Sequence, residues 1–524
     1  MGIYLNPGNE NYNETLCSNI YVDKTMMIEV MNQFISQGNK YICVSRPRRF
    51  GKTIAQNMLA AYYSRGCDSK TMFEKLKIGH SEDFGKNLNS LNVIQIDLNS
   101  EYQNTNDKEH LISILSETVK EEMREEFPSV EIEDDMSLAQ SILKVYSLTG
   151  ERFVVLIDEY DVLVREQVSE ELFASYLSFL NGLFKSNTLS PAIALAYITG
   201  ILPVVRDRVQ SKLNNFREYT ILNAGRLAEY IGFTSDEVKA LCEEYDMDYE
   251  ECRSWYDGYR QHGIEIYNPE SVVRAMQDKK YMSYWSMTST YQVIADRLSH
   301  NFKGTKEAVI RMMSGEEVDV RTESYMNTMT DFKTRNDVFT YLMYLGYLAY
   351  DYDKETCRIP NREIIREWEF AIEVLDEYED TDNIIQASKE LLQATIDGDD
   401  KMVAKALDES HIHVTSNRSY NNEDALQSAI YLAYIYAINK YTIIREMTTG
   451  KGFADVVYIP LKPEDPALII ELKRNDCVET ALNQIKDKKY FESLSHYHGN
   501  LIFVGINYDE NDKIHTCKIE RFDK

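Results

Sequence analysis

The string Arg46-Pro47-Arg48-Arg49-Phe50-Gly51-Lys52-Thr53 constrains this chain more than any other stretch. It follows the apolar run Tyr41–Ser45 and precedes a helix-like segment, Ile54–Tyr63. Its spacing is that of a phosphate-binding loop, G-x-x-x-x-G-K-[ST], with Arg46 in place of the first glycine. Such a loop works only between a strand and a helix, because backbone N–H groups and the helix N-terminus must converge on the phosphates. In that geometry Gly51 completes the loop, Lys52 reaches the β- and γ-phosphates and the Thr53 hydroxyl ligates Mg²⁺. Pro47 fixes φ and supplies part of the turn. Arg46, Arg48 and Arg49 are further candidates for binding the nucleotide.

A second run, Phe153–Ile157, is uninterrupted and rich in β-branched residues, as expected of a strand buried on both faces. It ends in Asp158-Glu159. An acid at that point holds Mg²⁺ through water, and a glutamate beside it polarises the attacking water. Val93–Asp97 and Ala192–Ile198 read as two more strands, and Thr199 after the latter is placed to sense the γ-phosphate. Helical stretches such as His110–Glu126 and Glu170–Phe184 separate these runs. Strands alternating with helices imply a parallel α/β sheet. The expected cofactors are ATP and Mg²⁺.

Beyond about residue 225 the pattern becomes mostly helical. Thr234 and Glu237 make a capping box, Val338–Leu348 is an apolar aromatic helix, and the acidic stretch Arg366–Asp382 reads as a solvated helix face. From about residue 385, two helices (Asn383–Asp397 and Asp400–Glu409) and a third (Glu423–Asn439) precede four strands, Tyr441–Met447, Ala454–Ile459, Ala467–Leu472 and Leu501–Ile506. A helix over Thr480–Ser493 separates the last two. The expected domains are therefore 1–225, 226–384 and 385–524.

The last of these carries a second constellation. Asp455 starts one strand, and Glu471 and Lys473 end the next, across a Pro-rich turn, Pro460–Pro466. Glu471 and Lys473 are two apart and so leave one face of their strand. Two carboxylates chelate a hard divalent cation, and an adjacent ammonium orients a water or stabilises a pentavalent phosphate. Gln484 lies on the following helix with Lys486, Lys488 and Lys489 near it, and Glu423 is a candidate third acid for the metal. The expected chemistry is metal-dependent phosphodiester cleavage.

Charge sets the competing considerations. Lys plus Arg number 57 against 85 Asp plus Glu, a formal charge of -28. That field repels phosphate and argues against a general nucleic-acid coat, though not against a local basic groove such as Lys40–Thr53. The eight scattered cysteines contain no C-x-x-C pair, which points to a reducing compartment. With no signal-like start and no apolar stretch of about 18 residues, the expectation is a cytoplasmic protein without a membrane partner. Met1-Gly2 is a poor myristoylation start, since Asn6 stands where Ser or Thr is wanted.

These motifs occur in a recognisable order: Tyr21–Thr25, Ser45–Thr53, Leu156–Asp161, Thr199-Gly200, Gly232–Thr234, Trp255–Tyr259, Tyr267–Pro269, Ile359–Asn361, Gly452–Asp455, Glu471–Lys473 and Gln484–Lys486. With them, nearly the whole chain resembles the bacterial and archaeal AAA-ATPase-like proteins with a C-terminal PD-(D/E)xK nuclease-superfamily domain. In that family an arginine in place of the first loop glycine is the usual form. The resemblance implies a P-loop ATPase domain with a parallel sheet, a helical middle and a restriction-endonuclease-like α/β domain. It implies Lys52, Thr53, Asp158 and Glu159 at a nucleotide site, and Asp455, Glu471 and Lys473 at a nuclease site. The expected partner is nucleic acid, DNA ahead of RNA; a homo-oligomer or a protein partner stays open. The rival expectation is an ATP-driven switch whose nuclease-like module binds proteins without cutting. Arg206 and Arg226 are the candidates for an arginine finger.

Overall fold

In the computed structural model of the chain, the described residues are 2–35, 37–203, 215–261, 263–285, 291–325, 332–375, 379–414, 430, 433–449, 452–462, 464–488, 497 and 499–522. Contacts divide the chain into two compact units, one of Met1–Trp285 with Asp319–Asn361, the other of Ser286–Val318 with Arg362–Lys524. Residues 226–285 and 319–361 belong to the first unit, and 286–318 with 362–384 to the second.

The first unit is built on strands β1 (Tyr41–Ser45), β2 (Asn92–Asp97), β3 (Phe153–Asp158), β4 (Ile193–Gly200) and β5 (Arg217–Tyr219), in the spatial order β2-β3-β4-β1-β5. Every neighbouring pair runs parallel. All residues of β1, β3 and β4 are buried, which is why these strands read as continuous apolar runs. Because the strands are parallel, their C-terminal ends lie along one edge, and that edge carries the loop after β1, Asp158 at the end of β3 and Thr199 near the end of β4. Register places Val44 beside Thr199 and Ile157 beside Ile198, so the phosphate-binding loop and the acidic tip are held on either side of β4.

The region expected to be mostly helical contains short strands as well: β6 (Phe233–Thr234), β7 (Tyr259–Gln261) and β8 (Ile264–Tyr267) form one small sheet. They are followed by the two-residue β9 (Val318–Asp319) and the antiparallel pair β10 (Ala349–Asp351) and β11 (Thr356–Arg358). Segments of two to four residues are too short for periodicity to reveal. The Thr234–Glu237 capping box forms as expected, and the aromatic helix runs over Arg335–Leu345, stopped by Gly346 at φ 88°.

The second unit holds a mixed sheet of β12 (Tyr441–Thr449), β13 (Gly452–Pro460), β14 (Ala467–Arg474), β15 (Leu501–Asp509) and β16 (Ile514–Phe522), in sequential order. Only β14 and β15 pair in parallel, joined by the helix Val478–Asp487. Alternation divides the core: Leu468 and Ile470 face a cluster with Leu391, Val403 and Tyr434, whereas Val457 and Ile469 face Leu482 and Ile485 of that helix. The edge strand β16, with its polar and apolar residues mixed, is an element sequence reading missed. The acidic stretch also differs from expectation. The helix over Arg362–Glu373 is solvated on one side only: Arg366, Phe370 and Glu373 are exposed, but the other side buries Ile364, Trp368 and Ile372, and with them Glu363 and Glu367, each 1% exposed.

Candidate functional site

The loop after β1 turns on two residues with left-handed backbone, Arg49 at φ 69° and Gly51 at φ 88°, and then enters the helix Lys52–Tyr63. Gly51 carries this conformation without steric cost, which explains its place immediately before the helix. Lys52 is 5% exposed, and its Nζ donates to the carbonyls of Arg46 (3.1 Å) and Pro47 (3.0 Å). Burial lowers the Lys52 pKa, opposed by the nearby carboxylates of Glu159, Asp158 and Asp161. Thr53 Oγ1 donates to Asp158 Oδ2 at 2.5 Å, and Thr199 Oγ1 donates to Asp158 Oδ1. Asp158 is therefore the point at which loop, β3 and β4 meet. Glu159 follows at φ 51° and bonds Arg165 Nη2. Burial raises the Glu159 pKa, against the pull of Lys52 and Arg165.

Lys52, Thr53 and Glu159 line a cleft of about 770 Å³, a size within the usual range of small-molecule sites, whereas Asp158 and Thr199 are buried and do not line it. Its lining combines polar and charged side chains such as Arg165 with apolar ones such as Ile20, Val22, Met58, Phe233 and Val273. The cleft thus sets the Lys52 ammonium and the Thr53 hydroxyl among apolar side chains. Thr53 and Asp158, already within hydrogen-bond distance, present two oxygens that suit a Mg²⁺. The Tyr21–Thr25 motif finds its structural reason here as well: Asp23 Oδ1 caps the Thr25 amide at 2.8 Å, and Lys24 reaches Glu237 at 2.5 Å.

The arginines divide. Arg48 and Arg49 line the cleft, Arg49 facing Glu270 at 3.7 Å. Arg46 does not line it. It is fully buried, with Nη1 donating to the carbonyls of Ser45 and Tyr219, both at 2.9 Å. Burial lowers its pKa to about 10. The expectation that Arg46 binds nucleotide is corrected on this ground: its guanidinium ties β1 to the chain end of β5, beneath the loop. Arg226 bonds Gln33 and stands over the Phe34 ring, away from the cleft; Arg206 lies outside the described residues.

The second constellation assembles on the sheet of the other unit. The antiparallel register Val456↔Ile470 sets Asp455 opposite Glu471, and both leave the face that carries Val457, Ile469 and the helix Val478–Asp487. Lys473 leaves the same face, its Nζ 3.1 Å from Glu471 Oε1. Gln484, on that helix, donates to the same oxygen. Asp455 Oδ2 accepts from the Leu472 amide at 2.8 Å, which holds the two strand ends together. Glu471 is 1% exposed, and burial with the neighbouring Asp455 pushes its pKa up to about 7. Its Oε2 is buried without a hydrogen-bond partner. An orphaned carboxylate oxygen beside a second carboxylate fits a divalent cation, which would satisfy it. Among the described residues no group of three or more His, Cys, Asp and Glu forms a metal cage. Lys486 is paired with Glu520 at 2.5 Å; Lys488 acts on Glu471 at longer range. Glu423 and Lys489 lie outside the described residues.

Sequence reading missed two residues that shape these sites. Gly505 pairs with Glu471 across β14 and β15, and a Cβ there would meet Val478 O at 2.8 Å, so only glycine lets the Gln484 helix approach. A lone glycine inside the apolar run Leu501–Ile506 was the available signal. Arg165 had no such signal, being one arginine among many until folding brought it onto Glu159.

Two family models match this chain. Residues 8–210 match the family described as predicted AAA-ATPase, AAA-ATPase-like, and residues 421–517 match the PD-(D/E)XK nuclease superfamily. An uncharacterized protein in the vnfD 5' region of Azotobacter chroococcum mcd 1 is 28% identical over 317 residues, 58% of this chain. The match spans 59% of that relative's length. Among solved structures, the Aeropyrum pernix ORC2 protein in its ADPNP-ADP complexes aligns with 68% of this chain and 96% of its own, at 10% identity and a TM-score of 0.27. A DNA replication initiation factor aligns with 80% and 94%, at 11% identity and 0.22. At such scores neither superposition bears on function. The chain thus carries an AAA-ATPase-like domain over residues 8–210 and a PD-(D/E)XK nuclease-superfamily domain over residues 421–517.

Proposed function

We propose that this chain binds and hydrolyses ATP with Mg²⁺ in the cleft after β1, and that its C-terminal module is a metal-dependent nuclease acting on DNA. The observation that supports the first half is the convergence of Lys52, Thr53, Asp158, Glu159 and Thr199 at one sheet edge. In this reading Lys52 exchanges its carbonyl partners for phosphate oxygens, Thr53 and Asp158 hold the cation, Thr199 positions Asp158, and Glu159 takes the proton of the attacking water. Arg48 and Arg49 add positive charge at the rim. The cation supplies charge neutralisation for the leaving group when bound.

The second half rests on Asp455, Glu471, Lys473 and Gln484 sharing one sheet face, with Glu471 Oε2 orphaned. Asp455 and Glu471 would hold the cation, and Lys473 would orient the water that attacks the phosphodiester. The test is cleavage of plasmid and single-stranded DNA by the full chain with Mn²⁺ or Mg²⁺, with and without ATP. Metal-dependent cleavage that disappears in Glu471→Ala is the expected result.

The net charge of -28 favours one other reading, a non-nucleolytic ATP switch with a protein partner. Protein that hydrolyses ATP but cuts neither substrate under any condition would establish that reading over the nuclease.

A further inference from the structure

We infer that Arg165 is a positioning residue for Glu159, tethered from behind by Asp161, and that residue 200 must be glycine to leave that tether its place. The inference rests on the proposed hydrolytic role of Glu159 and deepens it.

The geometry runs from the sheet outward. Asp161 is fully buried, and its Oδ2 accepts from two consecutive amides beyond β4, Ile201 at 3.1 Å and Leu202 at 2.8 Å. A carboxylate held by two main-chain donors is a fixed point, since moving it would strand both. Arg165 sits one helical turn after Asp161, on Val162–Arg165, with Nε 3.2 Å from Asp161 Oδ2. Its Nη2 engages Glu159 Oε2. One guanidinium therefore spans an immobile anion and the carboxylate at the cleft: it is held to Asp161 by charge at ion-pair distance and to Glu159 by a directional hydrogen bond. Arg165 is only 10% exposed, so the pairing escapes most solvent screening. Glu159 needs such support, because its left-handed backbone at φ 51° is one a glutamate seldom holds unaided. Gly200 completes the arrangement: a Cβ there would lie 2.6 Å from Asp161 Oδ1 and 2.7 Å from the Tyr160 ring. The Leu156–Asp161 and Thr199-Gly200 motifs thereby become parts of one device, in which the end of β4 steadies the glutamate at the end of β3.

The test uses the full chain, with steady-state ATP hydrolysis and equilibrium binding of a fluorescent mant-ATP, the latter also reporting that each variant is folded. Arg165→Gln is expected to lower kcat about 10- to 100-fold while mant-ATP Kd stays within about twofold. Arg165→Lys should recover part of the loss, and Gly200→Ala should reproduce it by displacing Asp161. The Arg165→Gln/Glu159→Gln double variant should be no slower than Glu159→Gln alone, because a residue acting through another adds nothing once that other is gone. Should Arg165→Gln fail to fold, Asp161→Asn carries the same prediction. Wild-type kcat in Arg165→Gln beside an inactive Glu159→Gln would overturn this inference alone. Parallel losses of binding and kcat, or losses that multiply in the double variant, would overturn it too. A wild type without hydrolysis, or an active Glu159→Gln, would overturn the role of Glu159 and this inference with it.

Discussion

Glu367 is a buried acid for which the proposed chemistry has no use, and it makes stability depend on pH in a calculable way. It lies on the helix Arg362–Glu373, is 1% exposed, and its Oε1 has no hydrogen-bond partner. Burial alone pushes its pKa from the ordinary 4.5 up to about 7. Ionising it in the folded chain therefore costs about 3 kcal/mol more than in the unfolded chain, at about 1.4 kcal/mol per pH unit. The folded state keeps the proton longer. Its contribution is fully present below pH 4.5 and is lost as pH rises to about 7. Glu367→Gln removes the titration but keeps the shape, so its pH dependence between about pH 5 and pH 8 should be shallower than wild type by about 2–3 kcal/mol. Urea unfolding reads this directly. Of the three tryptophans, Trp255 and Trp285 belong to the first unit and Trp368 to the second, beside Glu367. In a Trp255→Phe/Trp285→Phe background, fluorescence reports unfolding around Trp368 only. Suppose the stabilities of that background with and without Glu367→Gln ran parallel, their gap changing by less than about 0.5 kcal/mol across that range. The burial argument would then be refuted.

Arg46→Ala should lower stability by about 2–4 kcal/mol, through lost bonds to two carbonyls and the space vacated, while the folded fraction still binds mant-ATP; weakened binding at unchanged stability would restore Arg46 to the nucleotide site. Gly232→Ala should cost about 2–3 kcal/mol, because φ is 105° and a Cβ would lie 2.4 Å from Ile266 Cγ2; thermal melting measures it, and an unchanged midpoint counts against the geometry. Calorimetric titration of Mn²⁺ should show a site that Glu471→Ala abolishes and Lys473→Ala retains; equal heats in wild type and Glu471→Ala would remove Glu471 from the metal site. Lys52→Ala should weaken mant-ATP binding at least tenfold, since a lysine facing phosphates contributes charge-assisted bonds worth about 1.5–3 kcal/mol; unaltered affinity would place the nucleotide elsewhere.

Much of the fold is legible before folding because both sheets are fed by strands with a clear signature. β1, β3 and β4 are buried along their whole length and mostly apolar, and the loop after β1 ends at a Gly-Lys-Thr while the one after β3 begins at an acidic pair. β13 and β14 are legible because a Pro-rich turn separates two apolar runs. The short strands around Tyr259 and Ile266 carried no periodicity, and β16 alternates too weakly to distinguish it from a polar tail. The Arg362–Glu373 helix misled because charge density was read as exposure; its four-residue spacing puts Glu363 and Glu367 on the same side as Trp368 and Ile372.

Residue types and their spacing settle the chemistry on offer: a lysine and hydroxyl after one strand, an acid pair after another, and two carboxylates with a lysine across a hairpin. They suffice there because a loop or a hairpin brings near neighbours together. Which arginines reach the cleft is decided by folding. Arg46, Arg48, Arg49 and Arg165 are indistinguishable as letters, yet one is sealed beneath the loop, two line the cleft and one spans Glu159 and Asp161. That choice depends on strand order, with β4 inserted between β1 and β3, and on a glycine at the tip of β4 that leaves room for a carboxylate. Long-range pairing sets both, and no local pattern records it.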